Sequence, residues 1–92
     1  MIEFDWDEAK RKANLRKHGI DFVGIEKVFE GTTITFADNR FDYGEDRFLT
    51  IGSLEGIVVA VAHTESDERI RIISVRRASR NEEENYFREI AD

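Results

Sequence analysis

Length, composition and charge limit what this chain can be. Its 92 residues are 40% hydrophobic, which suits one domain, residues 1–92, with one packed core, and the absence of cysteine excludes a disulfide framework and a thiolate zinc site. The net charge of −6 argues against long-range attraction of nucleic acid, so any contact with RNA requires a local basic cluster. The start lacks a signal-peptide pattern, and the longest apolar run, residues 57–62, is too short to cross a bilayer. We therefore expect a cytoplasmic protein with no membrane partner.

The first predicted element is a helix over residues 4–19. Asp5, followed three residues later by Glu8, has the spacing of a capping box. Gly19 suits the left-handed residue that follows a last helical turn. The helix is predicted to be half buried, with a basic margin at i, i+4 and i+7 formed by Lys10, Asn14 and Lys17.

The spacing of apolar residues changes from a helical to a strand pattern after residue 31. Apolar residues recur at helical spacing after Asp21, the predicted N-cap of a second helix that Gly31 ends. Alternating or continuous apolar patterns then predict about four strands, at residues 33–37, 47–54, 57–62 and 69–76. Between them we expect a loop at residues 38–46, a hairpin turn at Glu55 and Gly56, and a polar turn at residues 65–68.

The last predicted element is a C-terminal helix. Ser79 and Glu82 repeat the capping-box spacing, and Glu82, Tyr86 and Ile90 share one face of the helix that follows. Because short connections favour antiparallel pairing, we expect an α+β fold. It consists of two N-terminal helices, a mainly antiparallel sheet of about four strands, and this helix.

Several motifs occur in the same order as in a known family. The first is Phe4-x-Trp6-Asp7-x-x-Lys10-x-x-x-Asn14-x-x-Lys17-His18-Gly19-x-x-Phe22, and the last are Arg71-Ile72-Ile73-Ser74-x-Arg76-x-Ala78 and Glu82-x-x-x-Tyr86. Together they resemble the BrnT toxins over nearly the whole chain. The resemblance implies a RelE-like fold and metal-independent cleavage of RNA that inhibits translation. It also implies neutralisation by a BrnA-like ribbon-helix-helix antitoxin, through which alone the chain would contact DNA.

Two regions depart from that family. Its members commonly carry arginine where this chain has Ser66, and around the glutamate of the last helix, where this chain has Asn81 and Glu83. Both changes remove positive charge from regions expected to meet phosphate. Two interpretations therefore stay open: a ribonuclease toxin, or a catalytically weak or inactive relative that acts as an antitoxin-binding module. A generic dimerisation domain would explain none of the motifs.

Three arginines, Arg47, Arg71 and Arg76, are the predicted phosphate-binding catalytic residues. Cleaving RNA without a metal requires proton transfers at the 2′- and 5′-oxygens and stabilisation of charge on the phosphate. Arginine suits the last task, because it is always charged and can bind phosphate with two parallel hydrogen bonds. If the strand at residues 69–76 is regular, Arg71 and Arg76 lie on opposite faces, so we expect Arg76 at the strand exit. The alternative is surface arginines, or a pair with the acidic last helix.

His63, Glu65 and Tyr86 complete the predicted catalytic set. His63 ends the apolar strand near Glu65, which could orient it as a base or act as the base itself. Tyr86 could stack on a nucleobase or donate to phosphate. The structural alternatives are a hydrogen-bonded histidine, a solvated glutamate, and a tyrosine packed in the core with its hydroxyl at the edge.

The predicted RNA-binding residues lie in the first helix. Lys10, Asn14 and Lys17 could hold the RNA backbone, or pair with acidic groups elsewhere. His18 could act as an acid or base, or interact favourably with the C-terminal end of its helix. The two histidines stand too far apart in sequence for a metal signature, so we expect neither a metal nor another cofactor.

Overall fold

One mixed sheet organises the part of the chain that the computed structural model describes, residues 1–40 and 42–91. In chain order the elements are β1 (Glu3–Trp6), α1 (Glu8–His18), α2 (Glu26–Glu30), β2 (Ile34–Ala37), β3 (Phe48–Leu54), β4 (Ile57–Ser66), β5 (Arg69–Arg77) and α3 (Arg80–Ile90). The five strands lie in the order β1-β5-β4-β3-β2; β1 is parallel to β5, and all other neighbours are antiparallel. The α+β class is confirmed, with five strands in place of about four. None of these helices is long and apolar enough to cross a membrane.

The first strand corrects the predicted N-terminal helix. β1 pairs in parallel with the start of β5, and α1 begins only at Glu8. Asp7, not Asp5, is the N-cap, because its side chain accepts a hydrogen bond from the backbone N–H of Lys10 at 3.1 Å. The prediction failed because the spacing of Asp5 and Glu8 imitates a capping box, and a four-residue strand is too short to display its alternation clearly. Gly19 ends α1 with a φ of 72°, as predicted.

The second helix is shorter than predicted. Asp21 does not cap it: its carboxylate accepts from the N–H of Val23 at 3.0 Å in a local turn, and α2 begins at Glu26. Gly24 lies between them with a φ of 93°, a left-handed conformation that no regular α-helix contains. Gly31 follows the last helical residue, as predicted.

The predicted strand and loop positions hold, with shifts at their ends. β2 and β3 each begin one residue later than expected, and β5 ends one residue later. β4 continues to Ser66, so the polar turn contracts to two residues, of which Asp67 has a φ of 50°. The loop at residues 38–46 and the hairpin between β3 and β4 are confirmed, except that Phe41 lies outside the described residues. The capping box of Ser79 and Glu82 is also present.

The helices cover the two faces of the sheet unequally. α1 packs along β5, whereas α2 and the turn before it cover one face, which we call the α2 face. Its core consists of Phe22, Ile25, Val28, Val59, Val61, Ile70, Ile72 and Val75. On the opposite face, the α3 face, α3 contributes one buried residue, Tyr86, to a smaller core with Ile51, Val58 and Ala60. The α3 face is therefore less covered than the α2 face.

A β-bulge interrupts the pairing of β5 with β4. Ala62 pairs with Ser74, but the next residue of β4, His63, pairs with Ile72. Ile73 is therefore the extra residue that one strand carries and the other does not.

The bulge inverts the alternation of side chains along β5. Ile72 and Val75 both belong to the core of the α2 face, although three positions separate them. Arg71 and Arg76, five positions apart, consequently share the α3 face. The prediction that these two arginines lie on opposite faces is wrong, because it assumed a regular strand.

Gly52 lets α2 approach the sheet closely. A Cβ at this position would lie 2.7 Å from Cγ1 of Val28 and 3.0 Å from Cγ2 of Thr33.

We expect Gly52→Ala to lower the free energy of unfolding by about 1–3 kcal/mol, because the added methyl group overpacks the core; urea denaturation measures this change. Ser53→Ala, at the exposed neighbouring position of β3, should change it by less than about 0.5 kcal/mol. A Gly52→Ala chain as stable as the original would contradict the close packing.

Candidate functional site

Three arginines lie on the α3 face, Arg76 beside the start of α3, and Arg71 and Arg47 further from it. α3 packs on this face through Tyr86, in a core that includes Ala60. β5 presents Arg76 opposite Ala60, and Arg71 four β4 positions further along. That separation is about 13 Å at the usual rise per residue in a strand. Arg47, directly before β3, falls on the same face by alternation.

Arg76 is held by a two-point ion pair with Glu82. Its Nη1 and Nη2 donate to Oε1 and Oε2 of the carboxylate at 2.7 and 3.0 Å. Oε1 also accepts from the backbone N–H of Ser79 at 2.8 Å, which is part of the capping box of α3. The hydrogen bond from Arg76 is the main reason why the pKa of Glu82 falls to about 2. One carboxylate thus both caps α3 and orients Arg76.

Arg71 is held more loosely, by Asp5 of β1. The two residues are register partners, and Nη1 of Arg71 lies 3.4 Å from Oδ1 of Asp5. The other carboxylate oxygen accepts from Arg69 at 3.1 Å, so Asp5 bridges two arginines. Half of the Arg71 side chain is exposed, and exposed pairs of this kind contribute only about 0–1 kcal/mol. Asp5 therefore holds Arg71 less firmly than Glu82 holds Arg76.

Arg47 stands beside the loop that joins β2 to β3. Its guanidinium carbon lies 4.0 Å from the centroid of the Tyr43 ring, a cation–π contact. Its Nε lies 3.7 Å from a carboxylate oxygen of Glu45. This Nε is buried, and no described residue accepts a hydrogen bond from it. Because solvent does not reach this Nε, a ligand can contact Arg47 only through the exposed part of its side chain, which is 26% exposed.

The same loop brings in Arg40, which the sequence analysis missed. Asp38 accepts from Nε and Nη2 of Arg40 at 2.9 and 3.1 Å, and from the hydroxyl of Tyr43 at 3.3 Å. The pKa of Arg76 is raised, chiefly by Glu82, while the charge of Arg40 acts in the opposite direction. Arg40 therefore adds to the positive charge that acts on Arg76. The only signal in the sequence was an arginine in an Asx-rich loop, which is commonplace.

Three of the predicted catalytic residues lie away from this open surface. His63 is fully buried on the α2 face, where its Nε2 lies 2.7 Å from Oγ1 of Thr50. Glu65 is exposed and follows His63 by two positions, so it projects from the same side of β4. Tyr86 is only 4% exposed, and its hydroxyl donates to the carbonyl oxygen of Thr32 at 2.8 Å. The structure brings none of these three beside Arg71.

Asn14 joins α1 to β5 through hydrogen bonds of its side chain. Its side-chain amide donates to the carbonyl of Val75 at 2.9 Å and accepts from the N–H of the same residue at 3.0 Å. β1 pairs with β5 only as far as Ile72. Asn14 therefore takes the place of a strand partner just beyond the bulge, and it is itself buried.

The other predicted RNA-binding residues line the surface around Asn14. Lys10, Lys17 and His18 form a shallow pocket together with Ile73 and Ser74 of β5. Because Ser74 lies between the two catalytic candidates of β5, this pocket adjoins the arginines. Within residues 1–40 and 42–91, neither lysine lies within ion-pair distance of a carboxylate, in contrast to the arginines.

A protein-family model matches most of the described residues. The model of the ribonuclease toxin BrnT, of type II toxin–antitoxin systems, matches residues 6–82, from the end of β1 into α3. The chain belongs to the BrnT toxin family. Its resemblance to that family is thereby confirmed, and membership implies an antitoxin partner. No curated protein matches the sequence at a significant level.

The pair of Arg76 and Glu82 should be visible in acid unfolding. Folding lowers the pKa of Glu82 from about 4.5 to about 2. The ionised carboxylate therefore contributes fully to the free energy of unfolding above about pH 4.5, and this contribution is lost as the pH falls towards 2. Between about pH 6 and about pH 3, the unmodified chain should lose on the order of 2 kcal/mol more unfolding free energy than Glu82→Gln. Glu83→Gln, on the exposed side of α3, is the control and should follow the unmodified chain. Equal losses in all three would contradict the ion pair.

The burial of His63 should make the stability of the chain depend on pH in a higher range. Burial lowers its pKa from 6.5, so the unfolded chain binds a proton that the folded chain does not. Stability should therefore fall as the pH drops below about 6.5, by up to about 1.4 kcal/mol per pH unit. Urea denaturation from about pH 7.5 to about pH 5.5 should show this slope, and His63→Asn should remove it. His18→Gln, which changes the other histidine, should keep it; a slope that follows His18 instead would refute the assignment.

Proposed function

We propose that the chain is an endoribonuclease toxin that cleaves RNA on the open α3 face without a metal ion. In this proposal it has a RelE-like fold, acts in the cytoplasm and inhibits translation. A BrnA-like ribbon-helix-helix antitoxin neutralises it, and the chain contacts DNA only through that antitoxin. Membership of the BrnT family supports the activity and the existence of an antitoxin. The main structural support for the proposed site is the bulge at Ile73, because it puts Arg71 and Arg76 on one face of the sheet.

The arginines would act on the charge of the transition state. Attack by the 2′-oxygen forms a bond to phosphorus and breaks the bond to the 5′-oxygen; solvent water accepts the proton of the 2′-hydroxyl and donates a proton to the 5′-oxygen. Negative charge builds on the two non-bridging oxygens meanwhile, and preformed donors stabilise it. Arg71 and Arg76 supply these donors, assisted by the exposed part of the Arg47 side chain. His63 projects into the opposite core and takes no part in proton transfer.

The basic margin of α1 would hold the RNA that enters this surface. Lys10 and Lys17 are exposed, lie beside Ser74, and have no carboxylate partner among the described residues. A lysine ammonium attracts phosphate as a point charge, independently of sequence. His18 adds a donor at the same pocket. Asn14 contributes indirectly, by holding α1 against β5.

Carboxylates beside the arginines make RNA binding an exchange of partners. The chain is acidic overall, and Arg71, Arg76 and Arg47 each have a carboxylate nearby. Exposed pairs contribute little, so a phosphate can replace Asp5 at Arg71. The two-point pair with Glu82 is less exposed and would keep Arg76 in place.

A second candidate function is supported by two substitutions relative to the family. Ser66 lies at the exposed end of β4, and Glu83 lies on the exposed side of α3. The resemblance to the BrnT toxins implies arginine in both regions. With less positive charge there, the chain would bind RNA weakly and act chiefly as an antitoxin-binding module. Its acidic surface would then complement a basic partner.

Cleavage of RNA by arginine variants tests the leading proposal. The purified chain should cleave single-stranded RNA in the presence of EDTA, and Arg71→Ala or Arg76→Ala should each lower the rate by about 100-fold or more. Arg77→Ala is the matched control, because Arg77 is exposed on the same strand but alternates to the other face. Unfolding midpoints of all variants establish that they fold.

Two results would overturn this assignment. If the folded chain leaves RNA intact but binds its antitoxin, the antitoxin-binding module is the correct function. If Arg77→Ala loses as much activity as Arg71→Ala, the catalytic surface is not the α3 face.

A further inference from the structure

An apolar row crosses the α3 face between the arginines. Phe36 of β2 pairs with Leu49 of β3, Leu49 pairs with Ala62 of β4, and Ala62 pairs with Ser74 of β5. Side chains at directly paired positions lie side by side on one face. We call this set the cross-strand row; it runs from an edge strand to the bulge.

α3 runs beside the cross-strand row: Leu49 packs against the core that contains Tyr86, and Phe36 shares a pocket with Asn85 and Glu89 of α3. The only buried residue of α3 is Tyr86, which belongs to the core of Ile51, Val58 and Ala60, at paired positions nearer to α3. In the row itself, Leu49, Ala62 and Ser74 are half-buried and Phe36 is 50% exposed. A single exposed apolar residue would be ordinary. Here an exposed aromatic ring is continuous with other half-buried side chains of the same face.

Arginines flank the cross-strand row on β3 and β5, whereas Glu89 lies beside Phe36 at its β2 end. On β5, Arg76 lies two positions beyond Ser74 towards α3, and Arg71 lies beyond the bulge in the other direction. On β3, Arg47 lies two positions before Leu49. A ligand that fits this surface therefore combines a flat apolar part with negative charges towards β3 and β5.

We propose that the cross-strand row is the binding surface for an unstacked nucleobase of single-stranded RNA, with Phe36 as the stacking residue. The phosphate next to that base lies within reach of Arg47, and phosphates further along the same strand reach Arg71 and Arg76 on β5, about 14 Å away across three strand spacings. Bases within a duplex are stacked and paired, so they cannot lie on such a surface, whereas single-stranded bases stack readily on aromatic rings. This assignment rests on the proposed function and narrows its substrate to unpaired RNA. Stacking recognises the face that all bases share, so the row selects strandedness more than sequence.

Binding of a non-cleavable oligonucleotide tests the proposal apart from catalysis. The probe is a short 2′-O-methyl RNA with one central 2-aminopurine, whose fluorescence reports stacking, beside the same probe with an abasic central position. Phe36→Ala should weaken binding of the first probe by roughly tenfold, and Phe36→Trp should restore it. The abasic probe should bind the unmodified chain roughly tenfold more weakly, and Phe36→Ala should then have no further effect.

Phe87 provides a matched control. It is 51% exposed, as Phe36 is 50% exposed, but it lies on α3. Phe87→Ala should leave binding of the 2-aminopurine probe unchanged within about twofold. Equal binding of the two probes, or equal losses in Phe36→Ala and Phe87→Ala, would overturn the proposal. So would a Phe36→Ala chain that binds RNA normally but no longer binds its antitoxin, because the row would then be a protein-docking surface.

Failure of the proposed function gives a different pattern. A chain that discriminates between the two probes at Phe36 but does not cleave unmodified RNA supports the row and refutes the ribonuclease. A chain that cleaves RNA through Arg71 and Arg76 but binds both probes equally supports the ribonuclease and refutes the row.

Discussion

The extra residue at Ile73 determines the chemistry of the sheet's two faces. Without the bulge, the residues beyond Ile73 would change faces, so Val75 would leave the core of the α2 face and Arg76 would enter it. Burying a guanidinium there without a carboxylate would be strongly unfavourable. Asn14 satisfies the backbone of Val75 just past the irregularity, where β1 no longer pairs with β5. A polar residue of α1 thus supports the arrangement that gives β5 an apolar side and a basic side.

Clustered arginines in an acidic chain pose an electrostatic problem that nearby carboxylates solve. Asp5 bridges Arg69 and Arg71, and Glu82 binds Arg76 with both oxygens. These carboxylates reduce the repulsion between the guanidinium groups of this face. They differ in strength, since the pair at Arg76 is less exposed and has shorter contacts than the pair at Arg71. The surface thus combines one firmly oriented arginine with one that is held more loosely.

Local signals predicted the fold better than the site. Gly19, Gly31 and the capping box of Ser79 and Glu82 end or begin helices through backbone conformation and short-range hydrogen bonds, which the sequence displays directly. β1 was misjudged because its partner lies more than sixty residues away in β5, and nothing local reveals a parallel pair. A bulge likewise depends on the register of two strands, so the common face of Arg71 and Arg76 could not be predicted. The burial of His63 had the same cause, because it depends on which helix covers which face.

The position of α3 links the ion pair to the open surface. Only two residues separate Arg76 from Ser79, and Glu82 both completes the capping box and binds Arg76. The helix must therefore start close to the strand exit, with its first turn fixed over the level of Ala60. Tyr86 then packs with Ile51, Val58 and Ala60, whereas Leu49 and Ala62, one row further from α3, stay half-buried. The hydrogen bonds that orient Arg76 also fix the helix that borders the apolar row, so the charge and the exposure of this surface have one structural origin.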